Sequence, residues 1–84
     1  MDNNDTILFD TTEVSEELIR KTLQDAVEAL SERGYNPINQ LVGYIISGDL
    51  GYISSYKETR NRMSKIDRTE LVEVLLKDYL KWDI

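Results

Sequence analysis

The sequence predicts a small all-α domain of four to five helices that forms a compact, intertwined or face-to-face homodimer and carries a flexible N-terminal tail. Apolar residues recur at the spacing of helical faces. Capping residues and glycines mark where one helix ends and the next begins. The chain has only 84 residues. Because a chain of this size buries only about 60–65% of its unfolded surface, we expect association of two copies to add to its stability.

The composition excludes several kinds of chemistry. The chain has 10 Lys and Arg residues against 16 Asp and Glu residues, a net charge of −6, with no Cys and no His. Disulfides and thiolate metal sites are therefore excluded, and the commonest general base and metal ligand is absent. The sequence also lacks a phosphate-binding glycine loop, a dinucleotide-binding glycine pattern and a calcium loop. We expect no enzyme activity, no catalytic residues, no metal and no cofactor.

The distribution of apolar residues bears on the location of the protein. No apolar run approaches the roughly 20 residues that a transmembrane helix needs. The acidic start of the chain does not resemble a signal peptide. We therefore expect a cytoplasmic protein without membrane insertion.

The first residues differ in composition from the rest of the chain. Residues 1–13 contain four acidic residues, no basic residue and one apolar cluster, Ile7-Leu8-Phe9. So little apolar area does not offset the entropy of ordering the segment. We predict a flexible acidic tail over residues 1–13 and a helical dimerisation and regulatory domain over residues 14–84. The apolar cluster could equally dock on the domain.

Residues with known capping roles delimit the first two helices. The first helix is predicted to begin near Ser15, whose hydroxyl can accept a free backbone N–H group, and to end at Gly34. Asn36 is a favourable N-cap and Pro37 suits the first helical position, so a second helix over residues 37–47 follows at once. The apolar positions of the first helix share one face: Ile19, Leu23, Ala26, Val27 and Leu30.

Two glycines punctuate the second helix. Gly43 lies inside it, where a glycine costs about 1 kcal/mol relative to Ala. A packing reason is therefore expected, and we predict that Gly43 permits the close approach of another backbone. Gly48 is predicted to end the helix, and residues 49–53 then form a short connector with at most one 3₁₀ turn.

The last two helices are predicted from their own caps. Ser55 and Glu58 match the capping-box pattern, which predicts a third helix over about residues 56–66. Asp67 repeats the N-cap signal, and a fourth helix over about residues 68–81 follows.

The fourth helix carries more apolar surface than one small core requires. Its apolar arc is wider than the ~100° that a surface helix needs to cover one core. We therefore predict that a second copy of the chain covers it, and the alternative is that the second helix covers it within one monomer. The predicted dimer interface is Leu71, Val72, Leu75, Leu76, Tyr79 and Leu80.

A basic segment lies within the acidic chain. Residues 57–68 contain five basic and two acidic residues. Such a segment can receive a phosphate group or another partner through charge-assisted hydrogen bonds, although ordinary charge pairing on an exposed helix is the simpler explanation. A nucleic-acid-associated protein is the alternative function, against which the net charge of −6 argues. The basic residues are Lys57, Arg60, Arg62, Lys65 and Arg68.

The central part of the chain resembles a known family. The motif spans Gly34-Tyr35-Asn36-Pro37-Ile38-Asn39-Gln40, Val42-Gly43-Tyr44, Ser47-Gly48-Asp49 and Tyr52-Ile53, and it continues through Arg60-Asn61, Lys65, Arg68, Glu70-Leu71 and Tyr79-Leu80. In these residues the chain resembles the IreB family of small regulatory proteins of Gram-positive bacteria. The resemblance implies an all-helical homodimer that is a substrate of the membrane Ser/Thr kinase with extracellular PASTA domains. It also implies a negative regulator in cell-envelope stress and cephalosporin resistance.

The resemblance also implies a phosphorylation site. The family's tail has a phosphorylatable threonine in a Thr-x-x-Phe pattern, which Thr6-Ile7-Leu8-Phe9 matches, so Thr6 is the expected phosphosite. The companion threonine three positions earlier is Asn3 here, and Thr11 and Thr12 are the secondary candidates. The implied partners are a second copy, a transiently bound Ser/Thr kinase with its cognate phosphatase, and a downstream protein. A scaffold without a phosphorylation switch is a further alternative.

Overall fold

The fold is built from four α-helices and two short 3₁₀ turns. The structure, a computed structural model, describes the backbone of residues 2–82 and the side chains of residues 16–82. Within these residues all regular secondary structure is helical, which confirms the prediction of an all-α domain. The elements are α1 (Asp2–Glu32), α2 (Pro37–Ser47), a 3₁₀ turn (Leu50–Tyr52), a second 3₁₀ turn (Tyr56–Glu58), α3 (Thr59–Met63) and α4 (Arg68–Leu80).

One stripe of α1 provides the packing surface for the other helices. The helix contacts α2, α3 and α4. The predicted one-faced pattern is confirmed, since four of its five apolar positions are buried and Val27 packs at the edge of the core. The core joins this stripe to residues from α2, α3 and α4 and to Ile53 after the first 3₁₀ turn. These residues are Leu41, Tyr44, Ile53, Met63, Leu71 and Val74.

The start of α1 differs from the prediction. The helix was expected to begin near Ser15, but α1 begins at Asp2. Residues 2–14 contain no Gly or Pro to interrupt a helix, and acidic residues are favourable near a helix N-terminus. The side chains of residues 1–15 lie outside the described part of the chain, so the flexible tail over residues 1–13 stays a prediction.

The corner between α1 and α2 follows the predicted stop and restart. Gly34 has φ +87°, and the amide of the next residue, Tyr35, donates to the carbonyl of Leu30 at 3.0 Å. The Asn36 side chain then accepts a hydrogen bond from the amide of Asn39 at 3.1 Å. The first bond satisfies a carbonyl at the end of α1, and the second satisfies an amide at the start of α2. The two helices therefore meet with almost no linker.

Gly43 is needed for a side chain rather than for a backbone. A Cβ at this position would lie 2.5 Å from the ring of Tyr52, in the first 3₁₀ turn. The prediction that Gly43 admits a neighbouring backbone is therefore wrong. The carbonyl of Tyr52 accepts a hydrogen bond from the Gln40 side chain at 3.1 Å. Helix α2 therefore contacts both the ring and the backbone of Tyr52.

The predicted third helix over residues 56–66 is broken. Lys57 and Glu58 have left-handed backbone conformations, with φ of 57° and 62°. The Ser55 side chain makes no capping bond, so the predicted capping box is wrong. The buried Thr59 hydroxyl instead donates to the carbonyls of Ser54 and Tyr56. These local side-chain bonds compete with helical ones, and α3 is consequently one short helix.

The fourth helix agrees with its prediction. Asp67 is the N-cap, and its side chain accepts from the amide of Thr69 at 2.9 Å. Leu71 and Val74 face the core and are almost fully buried. Lys81 ends the helix in a left-handed conformation with φ 55°.

The Asn36 cap gives a prediction for stability. Asn36→Ala removes the acceptor for the Asn39 amide and should lower the free energy of unfolding by about 1 kcal/mol. Asn39→Ala is the matched control, because the exposed Asn39 side chain makes no hydrogen bond among the described residues. Urea denaturation compares the two variants. Equal midpoints would contradict the capping role.

Candidate functional site

The outer surface of α4 is apolar and uncovered. Five large side chains on it are between 40% and 82% exposed. We call this surface the α4 face, and it consists of Leu75, Leu76, Tyr79, Leu80 and Trp82. An exposed apolar surface of this kind marks an interaction site in soluble proteins.

The predicted interface residues divide between the core and this face. Leu71 is 0% exposed within the single chain, so it belongs to the core and has no surface to offer a partner. Val72 is half-buried and lines a cavity between α2 and α4 together with Ile45. Leu75, Leu76, Tyr79 and Leu80 are all on the α4 face, and Trp82 extends it.

The second helix does not cover the α4 face. Its own outer surface is apolar and exposed at Ile38, Val42 and Ile46, which recur at every fourth residue. The alternative in which α2 covers α4 within one monomer is therefore wrong. Sequence periodicity did not reveal this second surface, because the buried Leu41 and Tyr44 and the exposed residues alternate along the same short helix.

Ion pairs join α4 to α1. Arg20 makes a two-pronged contact with Asp78, with its Nε and Nη2 atoms each 3.0 Å from a carboxylate oxygen. Lys77 Nζ lies 2.7 Å from Glu16, one turn earlier on α1. These pairs link residues some 60 positions apart, so the sequence alone gives no signal for them.

Two carboxylates that contact basic side chains, Asp25 and Asp78, have lowered pKa values. The hydrogen bond from Arg62, at 2.7 Å, and then that from Lys21 lower the pKa of Asp25 below its ordinary value. The hydrogen bonds from Arg20 lower the pKa of Asp78 in the same way and raise the pKa of Arg20. Each contact therefore favours the charged carboxylate in the folded state.

The structure places the five basic residues at separate sites. Arg62 and Lys65 line one groove with Leu18 and Ile66, whereas Arg68 donates to the carbonyl of Ile45 at 2.9 Å. Arg60 lines a different cavity and donates to the carbonyl of Ile53 at 2.9 Å, and Lys57 lies over the ring of Tyr56. The five residues of the basic segment therefore do not form one continuous surface, and this arrangement does not favour the nucleic-acid alternative.

The candidate phosphorylation residues lie elsewhere. Thr6, Thr11 and Thr12 fall within the backbone range of α1, and their side chains lie outside the described part of the chain.

The comparison with protein families decides the identity of the chain. The sequence matches the model of the family described as IreB regulatory phosphoprotein over residues 4–81. The chain belongs to the IreB family. The matched range contains every described element after α1, and it also contains Thr6. The family description is that of a regulatory protein rather than of an enzyme, which agrees with the function class inferred from composition.

The helices of this IreB-family chain also bear on membranes. Between residues 2 and 82, none of them combines the length and the apolar character that crossing a bilayer requires.

The Arg62–Asp25 contact gives a pH prediction. A carboxylate with a lower pKa in the folded state stabilises the fold above its ordinary pKa of 3.8, and this contribution disappears as the pH falls through the lower folded value. The stability of Asp25→Asn should therefore fall less than that of the unchanged protein between about pH 5 and pH 2. Urea midpoints at several pH values measure this.

The control for this experiment is Glu28→Gln, which removes an exposed carboxylate that has no ion pair among the described residues. Its pH profile should parallel that of the unchanged protein. Parallel profiles for Asp25→Asn as well would contradict the role of the ion pair.

Proposed function

We propose that this protein is a homodimeric, non-enzymatic regulator that a membrane Ser/Thr kinase phosphorylates on Thr6. The match to a regulatory phosphoprotein family over residues 4–81 carries the proposal. The choice of residue rests on the Thr-x-x-Phe pattern, which Thr6-Ile7-Leu8-Phe9 matches. The pathway that we propose is the cell-envelope stress response, including cephalosporin resistance, with the protein in the cytoplasm.

Phosphorylation at this position has a defined electrostatic effect. The phosphate would add a charge of about −1.5 to −2 to a segment that already contains Asp2, Asp5 and Asp10. A cognate phosphatase would reverse the change. The added repulsion favours release of the segment from acidic surfaces and its attraction to basic ones, which gives a downstream protein two states to distinguish.

The α4 face supports the dimer in the proposal. Fully burying a large apolar side chain contributes about 1.5–3 kcal/mol relative to leaving it exposed. A two-fold symmetric contact would bury the same five side chains on each protomer, because such an interface uses one patch twice. The inner side chains, Leu71 and Val74, would stay in their own cores.

Thr6 phosphorylation is tested with purified kinase. Incubation with the cognate kinase and ATP should add one phosphate, mapped to Thr6 by mass spectrometry, and Thr6→Ala should remove most of the incorporation. Thr11→Ala and Thr12→Ala are matched controls that should keep it. Incorporation that is unchanged in Thr6→Ala, or confined to Thr11 and Thr12, would contradict the assignment.

Dimerisation is tested by sedimentation equilibrium. Leu76→Glu or Leu80→Glu places a charge in the proposed interface and should weaken dimerisation by about a hundredfold, equivalent to about 2.7 kcal/mol. Leu18→Glu is the matched control, because Leu18 is an equally exposed leucine on α1.

Ile46→Glu in α2 separates the two apolar surfaces. Dissociation by Ile46→Glu and not by the α4 variants would move the interface to α2. An unchanged protein that sediments as a monomer of 9.8 kDa would contradict the dimer altogether.

A further inference from the structure

A polar cavity lies beside the corner after α1, and no residue of α4 lines it. Its volume is about 200 Å³, and the corner after α1 and the segment 51–55 form its walls. Leu30 and Ile53 form its floor, and both are 1% exposed. We call it the Arg33–Arg60 pocket, after the two arginines that line it.

The pocket presents hydrogen-bond donors. The Arg60 Nε–H donates to the carbonyl of Ile53 at 2.9 Å, which fixes the guanidinium and leaves its terminal N–H groups available. The Gln40 amide donates one hydrogen to the carbonyl of Tyr52 and keeps the other. Ser54 accepts through its oxygen from the amide of Tyr56, so its O–H is also a donor.

The lining contains no carboxylate to neutralise these donors. Over residues 16–82, Arg20 and Arg62 have ion-pair partners, whereas Arg33 and Arg60 form no ion pair. A neighbouring cavity shares Ser55 and Arg60 with the pocket and is lined by the acidic Glu58. The Asp49 carboxylate accepts a hydrogen bond from the amide of Gly51 at 2.8 Å but does not line the pocket. In a chain of net charge −6, two unpaired arginines in one cavity form a local site of positive potential.

We propose that the Arg33–Arg60 pocket binds a phosphate group. Each guanidinium group can donate N–H groups to phosphate oxygens, and the Gln40 amide and the Ser54 hydroxyl can donate to further lone pairs on the same oxygens. The carbonyls of Tyr52 and Ile53, which would repel an anion, are already occupied by Gln40 and Arg60. The buried floor strengthens these contacts, because electrostatic interactions are less screened beside apolar side chains.

The pocket is a single compact cavity rather than an extended basic surface. The rings of Tyr35 and Tyr52 line it beside the arginines. Arg62, Lys65 and Arg68 line other cavities, so the geometry suits one phosphate group rather than a nucleic-acid backbone. The phosphate can be the free ion or a monoester on a side chain, and the two share the same recognition chemistry. The inference does not depend on phosphorylation of Thr6.

Nuclear magnetic resonance titration tests the proposal at constant ionic strength. Inorganic phosphate should cause saturable shifts in the Arg60 Nε–H signal and in the amides of residues 53–55. Arg33→Gln should weaken binding by about tenfold or more, which corresponds to about 1.4 kcal/mol. This variant should remain folded, because the exposed Arg33 side chain makes no hydrogen bond among the described residues.

Lys65→Gln is the matched control, since it removes one exposed positive charge outside the pocket and should leave the affinity unchanged. A second titration with N-acetyl phosphothreonine amide separates the sources. Tighter binding than that of inorganic phosphate would assign the site to a phosphorylated side chain, and weaker binding would assign it to the free ion. No saturable shift with either probe, or equal affinity in Arg33→Gln and the unchanged protein, would overturn the proposal.

Discussion

The packing of three helices on one stripe of α1 is the constraint from which the rest of the structure follows. Between residues 2 and 82 there is one long helix, and α2, α3 and α4 all pack on it. Each of the shorter helices therefore has one buried face, such as Leu71 and Val74 on α4. No described element is left to cover their outer faces, so the apolar surfaces of α2 and α4 stay exposed. In a chain of 84 residues, these surfaces are a direct consequence of a small core.

Charge pairs add contacts between α4 and α1 to the apolar ones. Only two of the apolar side chains on α4 are fully buried. The contacts of Arg20 with Asp78 and of Lys77 with Glu16 lie at two successive turns of α1. Exposed pairs contribute little free energy individually, so burial of Leu71 and Val74 sets which face of α4 points inward.

Much of the fold could be predicted from the sequence, because its signals are local. The corner at Gly34, Asn36 and Pro37 and the cap at Asp67 depend on residues within a few positions of each other. The segment 55–58 was predicted wrongly for a physical reason. Its capping pattern competes with the bonds of the buried Thr59 hydroxyl, and burial of that residue depends on tertiary contacts.

The candidate sites were predictable in part. The width of the apolar arc on α4 indicated surplus surface, although it did not show that Leu71 belongs to the core. The basic residues formed one cluster in sequence, but Arg60 and Arg62, two positions apart on α3, line different cavities. Arg33 and Arg60 line one cavity only when the end of α1 and the start of α3 come together. No local pattern encodes that arrangement.

The most direct test of the account is an isotope-filtered nuclear Overhauser experiment on a mixture of labelled and unlabelled protein, which detects only contacts between different copies. We expect such contacts from the methyl groups of Leu76 and Leu80 and from the ring of Trp82, and none from Leu71 or Val74. Contacts from Leu71 or Val74 between copies, or a dimer with none from the α4 face, would contradict the claim that a second copy covers the outer surface of α4.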